Sequence, residues 1–212
     1  RNDSLILLDN VGIRFFSGKV DKSSLITFKR FYSYCEYNNR KVAGSQDSLY
    51  YVDKVFKPYP ININFNFRAV DLLVKDSLLI ATTSEKGVFF IQDSIVKKNL
   101  NSSNGFSSNT CYKSVLYKNV LYTATNKGIN IYDFKTDSVF HLYESDGLPS
   151  NTVFDLSVYN DTLYAATESG LSVVPTSVIP HQRTFHYFAS PVIANRDTFW
   201  NEPAQIEVYD SE

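Results

Sequence analysis

The chain has 212 residues, enough for one large domain or two small ones. Its net charge of −1 and sequence pI near 6.4 offer no basic surface to a nucleic-acid backbone, so no nucleic-acid partner is expected. No apolar run approaches the ~18 residues of a membrane helix and no leader peptide is visible, so no membrane contact is expected of this segment. Tyr and Phe are abundant, with 15 and 16 copies against a single Trp, which favours β structure over disorder. The absence of Met points to a processed product or an excised piece.

In chain order, residues 1–30 read as three strands, at 5–8, 13–16 and 24–28. Residues 31–57 read as a four-stranded unit, at 31–36, 41–45 and 49–53 with a short outer strand near Val55. The stretch 58–67 begins with Pro58 and Pro60, so its start reads as a loop or edge extension. Residues 67–100 carry strands at 69–74, 78–83, 88–92 and 95–98. Residues 111–143 carry strands at 112–117, 120–125, 129–133 and 139–143, with Asp137 and Ser138 in the last turn. Residues 151–187 open with strands at 153–159, 163–167 and 171–174, and 184–188 is the expected outer strand.

These units are copies of one another. Leu121-Tyr122-Thr123-Ala124-Thr125 matches Leu163-Tyr164-Ala165-Ala166-Thr167, and Leu78 to Thr83 matches both. The turn glycines Gly87, Gly128 and Gly170 recur at intervals of 41 and 42 residues. Weaker copies place Ser48 at the glycine position and Gly12 before that. A period near 40 residues with four short strands is the pattern of β-propeller blades. The predicted fold is therefore all-β: a partial β-propeller of about four four-stranded blades, plus an incomplete N-terminal blade that lacks its inner strand. Val153, Leu156, Val158, Leu163 and Val173 are expected to be buried between blades. The inward edge of strand 5–8 is expected to be disordered, shielded by the tail after Pro180, or paired with another chain.

The run Gly147-Leu148-Pro149-Ser150-Asn151, its following apolar strand, the Asn160-Asp161 turn, Leu163 to Thr167 and Gly170-Leu171 resemble one known repeat. It is the regulator-propeller repeat of Bacteroidetes-type two-component and hybrid sensor histidine kinases. The resemblance covers residues 70–175 closely and residues 1–69 weakly; Tyr164 stands for the family Trp and Ala166 for the family Gly. It implies a periplasmic sensor segment of an inner-membrane kinase. Such a segment recognises a carbohydrate-like signal and passes it to the cytoplasm. It also implies contact with neighbouring blades or domains of the parent sensor, and a homodimer. A structural and dimerising scaffold with no small-molecule site is the alternative. Residues 188–212 resemble the start of the immunoglobulin-like domain that follows these propellers, and read equally as a tail packed on the blades.

No catalytic constellation is visible. His181 and His186 are five apart, which puts them on opposite faces of a strand, and His141 lies on an outer strand. No nucleophile elbow or carboxylate pair can be assigned, so an enzyme of the lyase or glycosidase type is not expected. Three His and no Cys-x-x-Cys leave no metal site, and no cofactor is expected. Cys35 and Cys111 fall on predicted inner strands and read as buried, unpaired thiols. In a propeller, the loops that lead into the inner strands and the loops between second and third strands emerge on one face. Here these are 101–109 and 144–151, with 46–48, 84–86, 126–127 and 168–169. Asn104, Phe106, Asn109, Asn126, Asn151 and Glu168 are the candidate ligand-binding residues, suited to an oligosaccharide or another polar ligand. Turn formation is the competing explanation for each Asn.

Overall fold

The computed structural model describes residues 4–8, 12–17, 24–25, 29–52, 58–60 and 66–178. Within them the strands form five separate antiparallel sheets, none of which closes on itself. The first sheet joins β1 (Ser4–Leu8), β2 (Ile13–Ser17) and β3 (Ser24–Leu25). The second joins β4 (Phe31–Tyr37), β5 (Arg40–Ser45), β6 (Leu49–Val52) and β7 (Pro58–Pro60). The third is β8 (Ala69–Lys75), β9 (Leu78–Thr83), β10 (Val88–Gln92) and β11 (Ile95–Leu100). The fourth is β12 (Cys111–Tyr117), β13 (Val120–Thr125), β14 (Gly128–Asp133) and β15 (Ser138–Leu142). The fifth is β16 (Val153–Tyr159), β17 (Thr162–Thr167) and β18 (Gly170–Pro175).

Short β-branched and aromatic runs make the strands, and two-residue turns reverse them. Asn38-Asn39, Asp93-Ser94 and Asn160-Asp161 hold positive φ at both residues, the geometry that matches strand twist. Every complete inner strand carries a bulge near its start, between Phe31 and Ser33, Ala69 and Asp71, Cys111 and Lys113, and Val153 and Asp155.

The sheets stack in series. β4 packs on β8, β8 on β12, and β12 on β16, while β5, β9 and β13 each pack on the inner strand that follows. β1 packs on β4 in the same way, so it occupies the place of a second strand, as the repeat predicts. Among the described residues β1 pairs with β2 alone; the tail expected to shield its other edge lies outside them. One apolar cluster fills each gap between sheets. Ile13, Phe31 and Ala43 lie in the first, and Val42, Leu72 and Phe89 in the second. Ile80, Phe90 and Leu121 lie in the third, and Ile129, Leu156 and Val174 in the fourth. Each fully buried aliphatic side chain contributes about 1.5–3 kcal/mol, so the stack rests on these gaps.

Two expectations change. The outer strand of the second sheet is β7, beyond the position expected near Val55, and Val55 itself lies outside the described residues. Pro58 and Pro60 are tolerated there because β7 is the outermost strand and needs no outward donors. In the fifth sheet Val153, Leu156 and Leu163 are buried and Val158 packs against them, but Val173 is exposed and Val174 takes the core position. Leu163 pairs with Val174 and Tyr164 with Val173, so the two valines point to opposite faces: Val174 faces the fourth sheet, while Val173 faces the side on which no described sheet packs. The expected outer strand at 184–188 and the immunoglobulin-like segment 188–212 fall outside the described residues. Cys35 and Cys111 sit on β4 and β12 as free thiols; Cys111 is buried as expected while Cys35 is half-buried, and desolvation pushes both up to about 12.

Candidate functional site

The leading loops and the turns between second and third strands do share one edge of the stack. Backbone bonds tie them together from sheet to sheet. Gly87 N–H donates to Asn109 O at 2.9 Å and Gly128 N–H to Asn151 O at 2.5 Å, while within the fifth sheet Glu168 N–H donates to Thr152 O at 2.9 Å. Phe67 N–H donates to Asp47 O at 3.2 Å, extending the line to the second sheet, and within the third sheet Ser84 N–H donates to Arg68 O at 3.1 Å. A strand-end hydroxyl closes each turn. Thr83, Thr125 and Thr167 donate Oγ1–H to the carbonyls of Gly87, Gly128 and Gly170, each at 2.7 Å. In the second sheet Ser45 Oγ donates to Ser48 O at 2.9 Å.

Most of the candidate residues are engaged in this scaffolding. Asn104 accepts the Asn101 N–H at 2.8 Å and donates to Asn99 O at 2.5 Å. Asn109 accepts the Ser102 N–H at 2.8 Å. Asn151 accepts the Glu144 N–H at 2.9 Å, while its own N–H donates to the Glu144 carboxylate at 2.8 Å. Asn126 accepts the Ser108 hydroxyl at 2.6 Å. Phe106 is buried in the cluster with Phe90, Cys111 and Leu121; it is a plug between the third and fourth sheets and has no ligand-facing surface. Glu168 is exposed at its turn. His141 lies on β15, donates Nε2–H to Gly105 O at 2.8 Å and stacks on Tyr143.

The open space on this edge lies at the second sheet. A cavity of about 450 Å³ is lined by Lys29, Arg30, Ser45, Gln46, Asp47 and Asn66. Lys29 donates to Asp47 Oδ2 at 2.6 Å and to the Tyr50 hydroxyl. Burial pulls the Lys29 pKa down, but the bonds to Asp47 and Tyr50 outweigh it and raise it. Burial also pushes Asp47 up, but Lys29 and Ser45 together bring it below its ordinary value, so the pair stays charged. Arg30 lies over the Tyr32 ring at 4.9 Å, and Arg68 lies 5.6 Å from the same ring. Gln46 and Asn66 make no side-chain hydrogen bond among the described residues. The loop 46–48 was legible as part of this edge; Lys29 and Arg30 were missed, although they lead into β4 as residues 101–109 lead toward β12. A second cavity of about 620 Å³ opens on the opposite edge, between the fourth and fifth sheets. Lys118, Asn119, Asp133, Lys135 and Asp161 line it, and Lys118 pairs with Asp161 at 2.8 Å. Among the described residues no group of three or more His, Cys, Asp and Glu could hold a metal ion.

No family model and no curated protein matches the sequence. Solved structures do match. The extracellular domain assigned to the hybrid two-component system BT4673 of B. thetaiotaomicron superposes with a TM-score of 0.70 at 14% identity. That match covers 84% of this chain and 29% of the other. The corresponding domain of BT3049 from the same organism gives 0.66 at 18% identity, covering 82% and 26%. The WD40 β-propeller domain of Doa1 gives 0.63 at 17%, covering 86% and 64%. The fold is a β-propeller. Two of these three neighbours are extracellular domains of two-component systems, the class that the run from Gly147 to Leu171 resembles. The chain spans under a third of their length.

Proposed function

We propose that this chain is a periplasmic segment of the sensor region of a two-component histidine kinase, without catalytic activity of its own, and that it recognises a carbohydrate-like ligand. The observation that carries the reading is the shared propeller fold of two-component extracellular domains, together with a polar cavity on the loop edge. Gln46 and Asn66 offer both donors and acceptors there, Arg30 adds a fixed cation, and Tyr32 lies beneath its guanidinium. Neutral polar groups of this kind suit the hydroxyl pattern of a sugar. Transmission across the membrane then requires that the ligand bind two arrangements of the sensor with different affinity.

A scaffold role is favoured by one observation: Asn104, Asn109 and Asn151 spend their side chains on their own loops. Calorimetry of the intact extracytoplasmic protein against a panel of oligosaccharides separates the two. Binding heat for a sugar supports the sensor, and no heat for any sugar supports the scaffold. Turnover of a sugar would overturn both readings in favour of an enzyme.

A further inference from the structure

The second and third sheets carry a cation that the rest of the repeat does without. Each complete inner strand opens on a bulge, whose extra residue is Tyr32, Val70, Tyr112 or Phe154. Two residues before it stand Arg30 and Arg68 in the second and third sheets, but Thr110 and Thr152 in the fourth and fifth. The backbone does the same work with either residue type: Arg68 O accepts the Ser84 N–H at 3.1 Å, and Thr152 O accepts the Glu168 N–H at 2.9 Å. The fold therefore needs no guanidinium at this position.

Both guanidinium groups lie against one ring. Arg30 Cζ is 4.9 Å and Arg68 Cζ 5.6 Å from the Tyr32 centroid. A ring face attracts a cation but neutralises none of its charge. Among the described residues neither arginine has a carboxylate partner. Asp47 is spent on Lys29 at 2.6 Å, and Asp71 turns to Lys113 and the Ser114 N–H of the next sheet. Arg68 Nε–H is buried and donates to no acceptor among the described residues. A buried charged donor of that kind is costly until an acceptor meets it. Two positive charges thus stand uncompensated at the cavity that Arg30, Gln46 and Asn66 wall, in a chain whose net charge is −1.

We infer that the ligand of this cavity is an acidic saccharide, whose carboxylate or sulfate ester Arg30 and Arg68 grip together at the Tyr32 ring. The inference rests on the carbohydrate reading above and adds to it the class of sugar. A guanidinium presents a planar fork of N–H donors that meets either oxyanion with two parallel bonds. Gln46 and Asn66 are left for the neutral hydroxyls. The Phe67 N–H bond to Asp47 O, at 3.2 Å, ties the lead into β8 to the 46–48 turn, so Arg68 reaches the site from a backbone already fixed in place.

The test is calorimetry of the intact extracytoplasmic protein with three probes: an oligogalacturonate, its neutral methyl ester and a sulfated galactan oligosaccharide. An acidic probe is expected to bind about tenfold or more tightly than the methyl ester, and to weaken as ionic strength rises. The uronate and the sulfate ester distinguish the two sources of the charge. Arg30→Gln and Arg68→Gln are each expected to weaken that binding by about tenfold or more, and Arg30→Lys and Arg68→Lys by less, since an ammonium keeps the charge and loses the fork. Lys127→Gln removes an exposed charge from the same edge at the fourth sheet and is expected to change it by less than about twofold. Arg30 is exposed, so Arg30→Gln decides the matter if Arg68→Gln fails to fold. Equal affinity for an acidic probe and the methyl ester, or acidic binding indifferent to Arg30→Gln, overturns the inference and leaves the carbohydrate reading standing. Heat from a neutral oligosaccharide alone does the same. No heat from any sugar overturns both.

Discussion

Gly128→Ala and Gly170→Ala make one substitution at equivalent turns, and the structure predicts unequal costs. Both glycines have positive φ, +85° and +141°, so both variants carry backbone strain of about 1–3 kcal/mol. Their surroundings differ. A Cβ at Gly128 falls 2.3 Å from the Leu142 carbonyl oxygen and 2.9 Å from the Tyr143 ring. That carbonyl belongs to β15, where Leu142 pairs with Ile129, so relief of the clash pries the outer strand from β14. Such overpacking adds about 1–3 kcal/mol. A Cβ at Gly170 meets only Pro149, at 4.0 Å, and adds nothing comparable. Gly128→Ala should therefore lose about 2 kcal/mol more than Gly170→Ala, roughly 4–8 °C in Tm for a chain of this size. Gly87→Ala should be at least as severe as Gly128→Ala, since its Cβ would lie 2.0 Å from Leu100 O. Urea unfolding followed by circular dichroism measures all three. Equal losses at 128 and 170 would refute the reasoning, because the cost would then come from the backbone angle alone or from an outer strand closing on β18.

Further predictions concern single side chains. Phe106→Ala should cost about 3–5 kcal/mol, as expected of a core plug; a loss below ~1 kcal/mol in urea unfolding would return Phe106 to the surface. Burial raises the Asp71 carboxyl, against the opposing pull of Lys113. Between the ordinary carboxylate value of about 3.9 and that raised value the native state holds more protons than the unfolded chain, so this group's contribution to stability falls as pH rises through the window. Asp71→Asn should flatten that part of the profile of urea midpoints, and an unchanged slope would contradict the assignment. Cys35 and Cys111, both pushed up to about 12, should resist a thiol reagent at pH 8 until the chain is unfolded; rapid native reaction at half-buried Cys35 or buried Cys111 would contradict those raised values.

The repeat was legible because three signals coincide every 41 or 42 residues: a Leu-Tyr or Leu-Leu strand, a strand-end Thr, and a turn Gly. Each has a physical counterpart, since Thr83, Thr125 and Thr167 close the turns that Gly87, Gly128 and Gly170 open. β7 was not legible, because a Pro-Tyr-Pro strand violates the usual ladder rule and is stable only at an outermost edge. Val173 is exposed, although its equivalent Ile131 is buried, because among the described residues no sheet packs on its face of β18, a fact of neighbourhood that the repeat alone does not show. The loop edge was legible as a place but not as a site. For Asn104, Asn109 and Asn151 the sequence leaves ligand contact and turn formation both open, and the structure bonds all three side chains to their own loops. Lys29 and Arg30 form cavity walls through the meeting of one leading loop with the 46–48 turn, a contact no local pattern encodes.

The central claim, a sugar-recognising sensor segment read through the loop edge, is tested most directly by calorimetry on three variants beside the parent protein. Gln46→Ala and Asn66→Ala each remove a side chain from the cavity at the second sheet, while Lys135→Ala alters the cavity on the opposite edge. Loss of a ligand hydrogen bond worth about 1.5 kcal/mol weakens binding roughly tenfold. The account predicts that the oligosaccharide giving heat with the parent protein binds about tenfold or more weakly to Gln46→Ala and Asn66→Ala, and unchanged to Lys135→Ala. Heat that survives both loop-edge substitutions and disappears with Lys135→Ala, or no heat from any sugar, would contradict it.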